Sequence, residues 1–186
     1  MKRLNLSAGS RPLSWAASGT ASSRGDSTSA TRRWNTHQSE SEAGRSFTRQ
    51  TNGTLALDSC AKAKLIYLGT LLGLSALARE LLQLKPDHLL LVCAGTHSHF
   101  ALEDGIAAGA LVAKLVPHAS PFASARACLA IWRSVKKDPT DTLAVTRNAL
   151  RLKSVGLDQD VDYCSQFDAI DRVARVEKGE VRLVTS

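Results

Sequence analysis

The stretch Ala94-Gly95-Thr96-His97-Ser98-His99-Phe100-Ala101-Leu102-Glu103-Asp104 gathers the side chains best suited to chemistry. It follows a continuous apolar run, His88 to Ala94 (HLLLVCA), and leads into a helical pattern. In α/β sheets, ligands collect beyond the carboxyl ends of strands, where helix N-termini present free N–H groups. Gly95 lets the backbone turn closely, and Thr96 offers a hydroxyl. Glu103 and Asp104 fall in the first helical turn. Two adjacent carboxylates there can hold a hard cation such as Mg²⁺, which takes oxygen ligands and keeps some waters. The same two residues can simply complement the helix dipole. Position alone leaves both readings open.

Other constellations carry less. His97 and His99 lie two apart and share one side of an extended loop, but no third ligand is near in sequence. A solvated loop is the better reading, given the ligand count zinc requires. Thr51-Asn52-Gly53-Thr54 opens a helix with a hydroxyl-rich turn that can cradle an anion. Asn-Gly turns are common, so the spacing by itself is weak. Asp158, Asp160, Asp162, Asp168 and Asp171 surround Cys164; helix capping and a solvated face explain them better than a metal does. No Ser-His-Asp elbow, P-loop or dinucleotide glycine fingerprint is present.

Those residues need elements to position them. Thr54 can cap a short helix running to about Lys62. Leu65–Leu68 reads as a strand ending at Gly69. Ser75 to Leu84 has leucines at helical spacing, and Pro86 closes it. HLLLVCA has the length and apolarity of a strand buried on both faces of a parallel sheet. Helices are predicted over about Ala101–Val116, Ser120–Lys137 and Thr140–Ser154, with a shorter one starting near Asp158. Val173–Glu177 and Val181–Val184 flank Lys178-Gly179, a hairpin signal. Alternating strands and helices predict an α/β fold, a partly parallel sheet with flanking helices.

The chain has 186 residues, 44% hydrophobic and 5% aromatic. That suffices for one domain with a sizeable core. No stretch approaches the ~20 apolar residues of a membrane span. Cys60, Cys93, Cys128 and Cys164 contain no Cys-x-x-Cys, which argues against a zinc ribbon or thioredoxin-like site. They read as small buried hydrophobes in a reduced cytoplasm. The net charge of +7 is unevenly placed: eight Lys/Arg and three Asp/Glu give residues 1–50 a net +5, leaving +2 for the rest. The folded part therefore has no electrostatic footprint for nucleic acid. Residues 1–50 hold sixteen Ser/Thr and no Val, Ile or Tyr. Without a periodic apolar face they are expected to be disordered. Their Arg-rich, Ser-rich character also fits a transit peptide.

From Thr51 onward the sequence resembles a known family. TNGTLAL is similar to its T-T-T-N-G-T-x-A-L, and LIYLGTLLGLSALA to its strand followed by G-S-L-L-N-A-x-A-V-A. LLLVCAGTHSHFALEDGIAAGALV resembles V-C-A-G-T-x-G-x-F-x-L-E-D-x-x-A-A-G-A-L-V, the most specific of the motifs. VGLDQDVDYCSQFDAID resembles L-G-x-x-x-D-V-x-Y-C-x-Q-x-D-x-x-D. The family is 2-phosphosulfolactate phosphatase. Ser98 stands where it has glycine, Val173-Ala174-Arg175-Val176 replaces V-V-P-V, and its opening D-V-L-R-A strand has no counterpart. The resemblance implies the C-terminal portion of that fold and hydrolysis of 2-phospho-3-sulfolactate to sulfolactate and phosphate, in coenzyme M or sulfolactate metabolism. It implies Mg²⁺ as cofactor; Asn52, Thr96, Glu103 and Asp104, which sit at helix starts after strands, are the expected catalytic residues, with Glu103 and Asp104 as the metal ligands. The implied partner is a small phosphorylated sulfonate, with no nucleic acid and no membrane; a homo-oligomer stays open. A catalytically dead, anion-binding pseudo-enzyme is the alternative.

Residues 14–50 lack the family's G-E-R and L-G-N-S-P-x-E-Y motifs in this frame. Read two bases downstream, Trp15 before Ala16 forces glycine and Trp34 before Asn35 forces glutamate, both as the motifs require. Residues 1–50 are therefore read as an out-of-frame segment. Exposed apolar surface and weak hydrolysis are expected to follow from the loss.

Overall fold

The computed structural model describes residues 4–6, 51–97 and 99–184. Its centre is the helix that follows the chemistry-rich stretch. We number the elements along the chain: β1 (Leu4–Leu6), α1 (Thr51–Ser59), β2 (Ile66–Leu68), α2 (Leu74–Leu84), β3 (His88–Leu89), α3 (Leu102–Leu115), β4 (Ala119–Pro121), α4 (Ala123–Val135), α5 (Pro139–Ala144), α6 (Arg147–Lys153), α7 (Asp158–Cys164), β5 (Val173–Glu177) and β6 (Glu180–Val184).

Helix α3 reads LEDGIAAGALVAKL. Its Ile106 and Val112 are fully buried. Its small residues let α4 approach: a Cβ on Gly109 would collide with the Cys128 carbonyl oxygen. Leu74, Leu77, Ala78 and Leu81 form one stripe of α2, spaced as a helix face requires. They pack with Ala110, Leu111, Val112 and Leu115 of α3 and Leu129 of α4. Burying each leucine stabilises the fold by roughly 1.5–3 kcal/mol relative to exposure. Ile106, Leu71 and Leu143 form a second cluster, which anchors α5 beneath α3.

The chain is thus a mixture of helix and sheet. Strands β2, β5 and β6 form an antiparallel sheet, with Ile66 opposite Val176 and Val173 opposite Val184. Its hairpin turns at Lys178 (φ +51°) and Gly179 (φ +80°). Two successive left-handed residues match the right-handed twist of the flanking strands. The other ladder runs in the order β3-β1-β4, with β1 parallel to both neighbours.

Several sequence expectations are corrected here. The strand expected over His88–Ala94 has ladder pairing at His88 and Leu89 and at no later residue among those described, with Leu89 opposite Leu6. Beyond that point Leu90 and Val92 are exposed rather than buried on two faces. The helix expected over Thr140–Ser154 is two helices, since Thr146 breaks it and caps α6. Ser120 and Pro121 belong to β4, so α4 begins only at Ala123. Helix α1 ends at Ser59 rather than near Lys62. Most of the N-terminal segment expected to be disordered lies outside the described residues. The exception is Leu4–Leu6, a strand between β3 and β4. Three residues are too few to show a period, so composition gave no sign of it.

Candidate functional site

The site is built by the turn between β3 and α3. Thr96 and His99 close it with reciprocal backbone hydrogen bonds of 2.9 and 3.0 Å. Gly95 has φ +68°, and a Cβ there would lie 2.6 Å from the His99 carbonyl oxygen. Glycine is required at that position on both counts. His97 is also left-handed, at φ +48°. The ring of Phe100 lies over Gly105, where any Cβ would strike it.

This turn delivers Thr96 and the first turn of α3 to one place. Ala101 caps α3 without a side-chain hydrogen bond, and Glu103 and Asp104 occupy the first turn. The Gly95 N–H donates to Asp104 Oδ2 at 2.7 Å. Asn148, in the first turn of α6, then ties the parts together. Its Nδ2 donates to Thr96 Oγ1 at 2.6 Å and also to Glu103 Oε1. Both protons of one amide are used, so Thr96 and Glu103 are fixed relative to each other.

Burial pushes the Asp104 carboxyl up; the Gly95 N–H opposes the rise, and the Glu103 charge adds to it. Two half-buried carboxylates side by side repel, and a cation between them relieves both that repulsion and the desolvation cost. Each has one oxygen engaged, leaving the second without a hydrogen bond among the described residues. Among those residues no group of three His, Cys, Asp or Glu could hold a metal ion. Mg²⁺ does not need three: it is usually bound by one or two carboxylates, waters and substrate phosphates. The donor set therefore fits a hard cation and not a transition metal, and His97 and His99 stay exposed outside it.

The structure thus joins Thr96 to Glu103 and places Asp104 beside them. It does not join Asn52 to this group. Asn52 lies in the first turn of α1, and no hydrogen bond or ion pair among the described residues links it to Thr96, Glu103 or Asp104. Asn148 was missed because Thr140–Ser154 reads as one uninterrupted helix. The signal was there: Thr146 is a cap residue, and Asn favours helix starts over interiors.

The aspartates around Cys164 disperse into structural roles. Asp158 and Asp160 sit in the first turn of α7, and Asp171 pairs with Arg79. Asp168, left-handed at φ +55°, caps α2 from a distance. Its oxygens accept from the Ser75 N–H and Ser75 hydroxyl, both at 2.5 Å, and Lys114 Nζ lies 3.6 Å away. Burial pushes Asp168 up, but these hydrogen bonds and the Lys114 charge outweigh it and hold the carboxyl below its ordinary value.

Comparison with known proteins agrees with the motifs. The profile of the 2-phosphosulpholactate phosphatase family matches residues 35–179, beginning upstream of Thr51. A relative from Caldanaerobacter subterraneus subsp. tengcongensis is 33% identical over 135 residues, 71% of this chain and 55% of its own length. One from Synechococcus sp. strain CC9605 is 34% identical over 146 residues, 74% of this chain and 60% of its own. One from Thermus thermophilus is 36% identical over 119 residues, 62% of this chain and 50% of its own. Each carries the name probable 2-phosphosulfolactate phosphatase. This chain spans about half the length of the relatives it matches. It belongs to the 2-phosphosulfolactate phosphatase family.

Proposed function

We propose that the turn after β3 and the start of α3 form a phosphomonoester hydrolase site, acting on 2-phospho-3-sulfolactate to release sulfolactate and phosphate. The observation that carries this reading is the joining of Thr96, Glu103 and Asp104 in one place by Gly95 and Asn148. The free oxygens of Glu103 and Asp104 would hold Mg²⁺, which when bound neutralises phosphoryl charge. Thr96 Oγ1 accepts from Asn148, so its own proton is left to donate to a phosphoryl oxygen. Asn148 keeps that hydroxyl and Glu103 at fixed spacing, so little reorganisation is needed as charge develops. Asn52, from the TNGTLAL motif, would meet the substrate from the α1 N-terminus.

The partner is a small phosphorylated sulfonate and not nucleic acid, consistent with the near balance of charge over residues 51–186. All four cysteines are free thiols, which supports a cytoplasmic setting. No described helix is long and apolar enough to cross a membrane. The test is Mg²⁺-dependent phosphate release from 2-phospho-3-sulfolactate, compared with Glu103→Gln and Asp104→Asn.

A second reading, anion binding without turnover, is favoured by Leu90, Val92 and Phe100, all exposed in the segment that leads into the site. Uncovered apolar surface there is what a site missing part of its wall would show. Phosphate or sulfonate binding with no release of phosphate would select it.

A further inference from the structure

Helix α6 carries two cations that the fold itself does not use. Arg147 and Arg151 lie four apart, so they are neighbours on one face of the helix. Both are exposed, and neither guanidinium has a hydrogen bond or ion pair among the described residues. Like charges at that spacing repel. Arg151, in the last turn, complements the helix dipole, but Arg147 occupies the first turn, where the dipole disfavours a cation. Packing does not explain them either. Ala149 is the buried residue of α6, and the Thr146 hydroxyl accepts its N–H, which fixes the way the helix faces. Asn148 is half-buried at the edge of that face, next to Arg147 and three residues before Arg151. Its amide donates to Thr96 Oγ1 at 2.6 Å. The Cα–Cβ bond of Arg151 tilts toward the N-terminal turn, which holds Arg147 and Asn148. Two unpaired guanidiniums therefore border the candidate site on its α6 side.

We propose that Arg147 and Arg151 form the subsite that holds the sulfonate of the substrate, beside the turn that holds its phosphoryl group. The proposal rests on the hydrolase reading above and names the residues that select the substrate class. A sulfonate is a tetrahedral anion with three acceptor oxygens, and it stays charged wherever the protein is folded. A guanidinium presents a planar fork of donors to such oxygens. An anion shared by the two arginines also relieves their mutual repulsion. In 2-phospho-3-sulfolactate the phosphate ester and the sulfonate sit on adjacent carbons, so the groups that bind them must lie side by side. Thr96 and the arginines meet that need: one hydrogen bond joins Thr96 to Asn148, and the arginines take the adjacent and next-turn positions of the same helix. The pair also draws a polyanionic substrate toward a turn whose own charges, Glu103 and Asp104, are negative.

The test needs no turnover. It titrates 3-sulfolactate into the whole chain with Mg²⁺ present, read by ligand-detected NMR, beside an Arg147→Gln/Arg151→Gln variant. Glutamine keeps the helix propensity and removes both charges, and circular dichroism checks that the variant is folded. The expected result is binding by the parent and a loss of affinity of about 10-fold or more in the variant, the scale of a hydrogen bond to a charged group. Arg147→Lys/Arg151→Lys should recover part of the loss, as point charges without the fork. Lactate, which lacks the sulfonate, and inorganic phosphate should not distinguish parent from glutamine variant. Sulfolactate that fails to bind the parent, or binds the glutamine variant as tightly, would overturn the subsite. So would lactate or phosphate losing as much affinity, since the arginines would then hold a carboxylate or phosphoryl group. The hydrolase reading is judged separately, by phosphate release. Release together with arginine-independent binding of sulfolactate keeps that reading and removes the subsite; arginine-dependent binding without release does the reverse.

Discussion

At the scale of single residues, the site depends on a small set of hydrogen bonds. Asn148 touches no substrate in this account; it positions Thr96 and Glu103. Asn148→Ala should lower Mg²⁺ affinity about 10- to 100-fold, the usual cost of losing an outer partner of a metal ligand. Asn148→Asp should bind Mg²⁺ more tightly than alanine, because a third carboxylate beside Glu103 and Asp104 adds to the repulsion that the cation relieves. Isothermal titration with Mg²⁺ reads both, and an alanine variant that binds as the parent does would contradict the positioning role. Asp104 gives a second prediction with opposite signs for folding and binding. Its folded value is raised, so the stability it contributes is present below the ordinary aspartate value and is lost as pH rises through the folded value. Asp104→Asn keeps an acceptor for the Gly95 N–H and removes the buried charge. The variant should melt no lower than the parent at neutral pH while losing Mg²⁺ binding. A lower melting temperature at neutral pH would show that the charge is compensated within the protein.

These roles were unequally visible in sequence. Gly95, Thr96, Glu103 and Asp104 share one short segment, so adjacency alone groups them. Asn148 lies 52 residues from Thr96, and Asp168 lies 93 from Ser75. No local pattern encodes a pairing across that distance. Such contacts are set by how the helices pack. The close approach of α4 to α3 at Gly109 is one such packing contact.

At the scale of elements, that approach hinges on Gly109. Gly109→Ala drives a methyl into the Cys128 carbonyl. Overpacking of this kind costs typically ~1–3 kcal/mol, and urea unfolding should register it as a shift in midpoint. Unchanged stability would mean that α4 moves freely relative to α3. The cap on α2 provides an acid-sensitive test. Asp168 is held below its ordinary value, so its contribution is present above the unfolded aspartate value and is lost as pH falls through the folded one. Asp168→Ala should cost about 1 kcal/mol near neutral pH, as loss of a helix cap does. The penalty should shrink in acid, and one that is equal at all pH values would remove the charge from the explanation. The hairpin was legible because Lys178-Gly179 states its own turn geometry. The split of α5 from α6 was not, because Ala and Leu continue the helical pattern across Thr146.

At the scale of the molecule, the described parts form a helical core with two small sheets, and the site sits at one end of α3. The strand pattern of HLLLVCA continues past the last ladder pair at Leu89. Leu90 and Val92 are left exposed, with Phe100 and Phe122 also uncovered. Dye binding by 1-anilinonaphthalene-8-sulfonate should therefore be strong for a folded chain and fall when Leu90 and Val92 are replaced by threonine. Where this surface lies was not legible in the sequence, because the continuous apolar run of HLLLVCA does not show where ladder pairing stops.

The central claim is that Glu103 and Asp104, held by Asn148 and Gly95, form the hydrolytic site. The most direct measurement is phosphate release from 2-phospho-3-sulfolactate by the purified 186-residue chain, with Mg²⁺ and with chelator, beside Asp104→Asn. The expected result is release that requires Mg²⁺ and falls by about 10²-fold or more in the variant, the scale of losing one electrostatic group at a reacting centre. Release unchanged by chelator, or equal in Asp104→Asn, would contradict it.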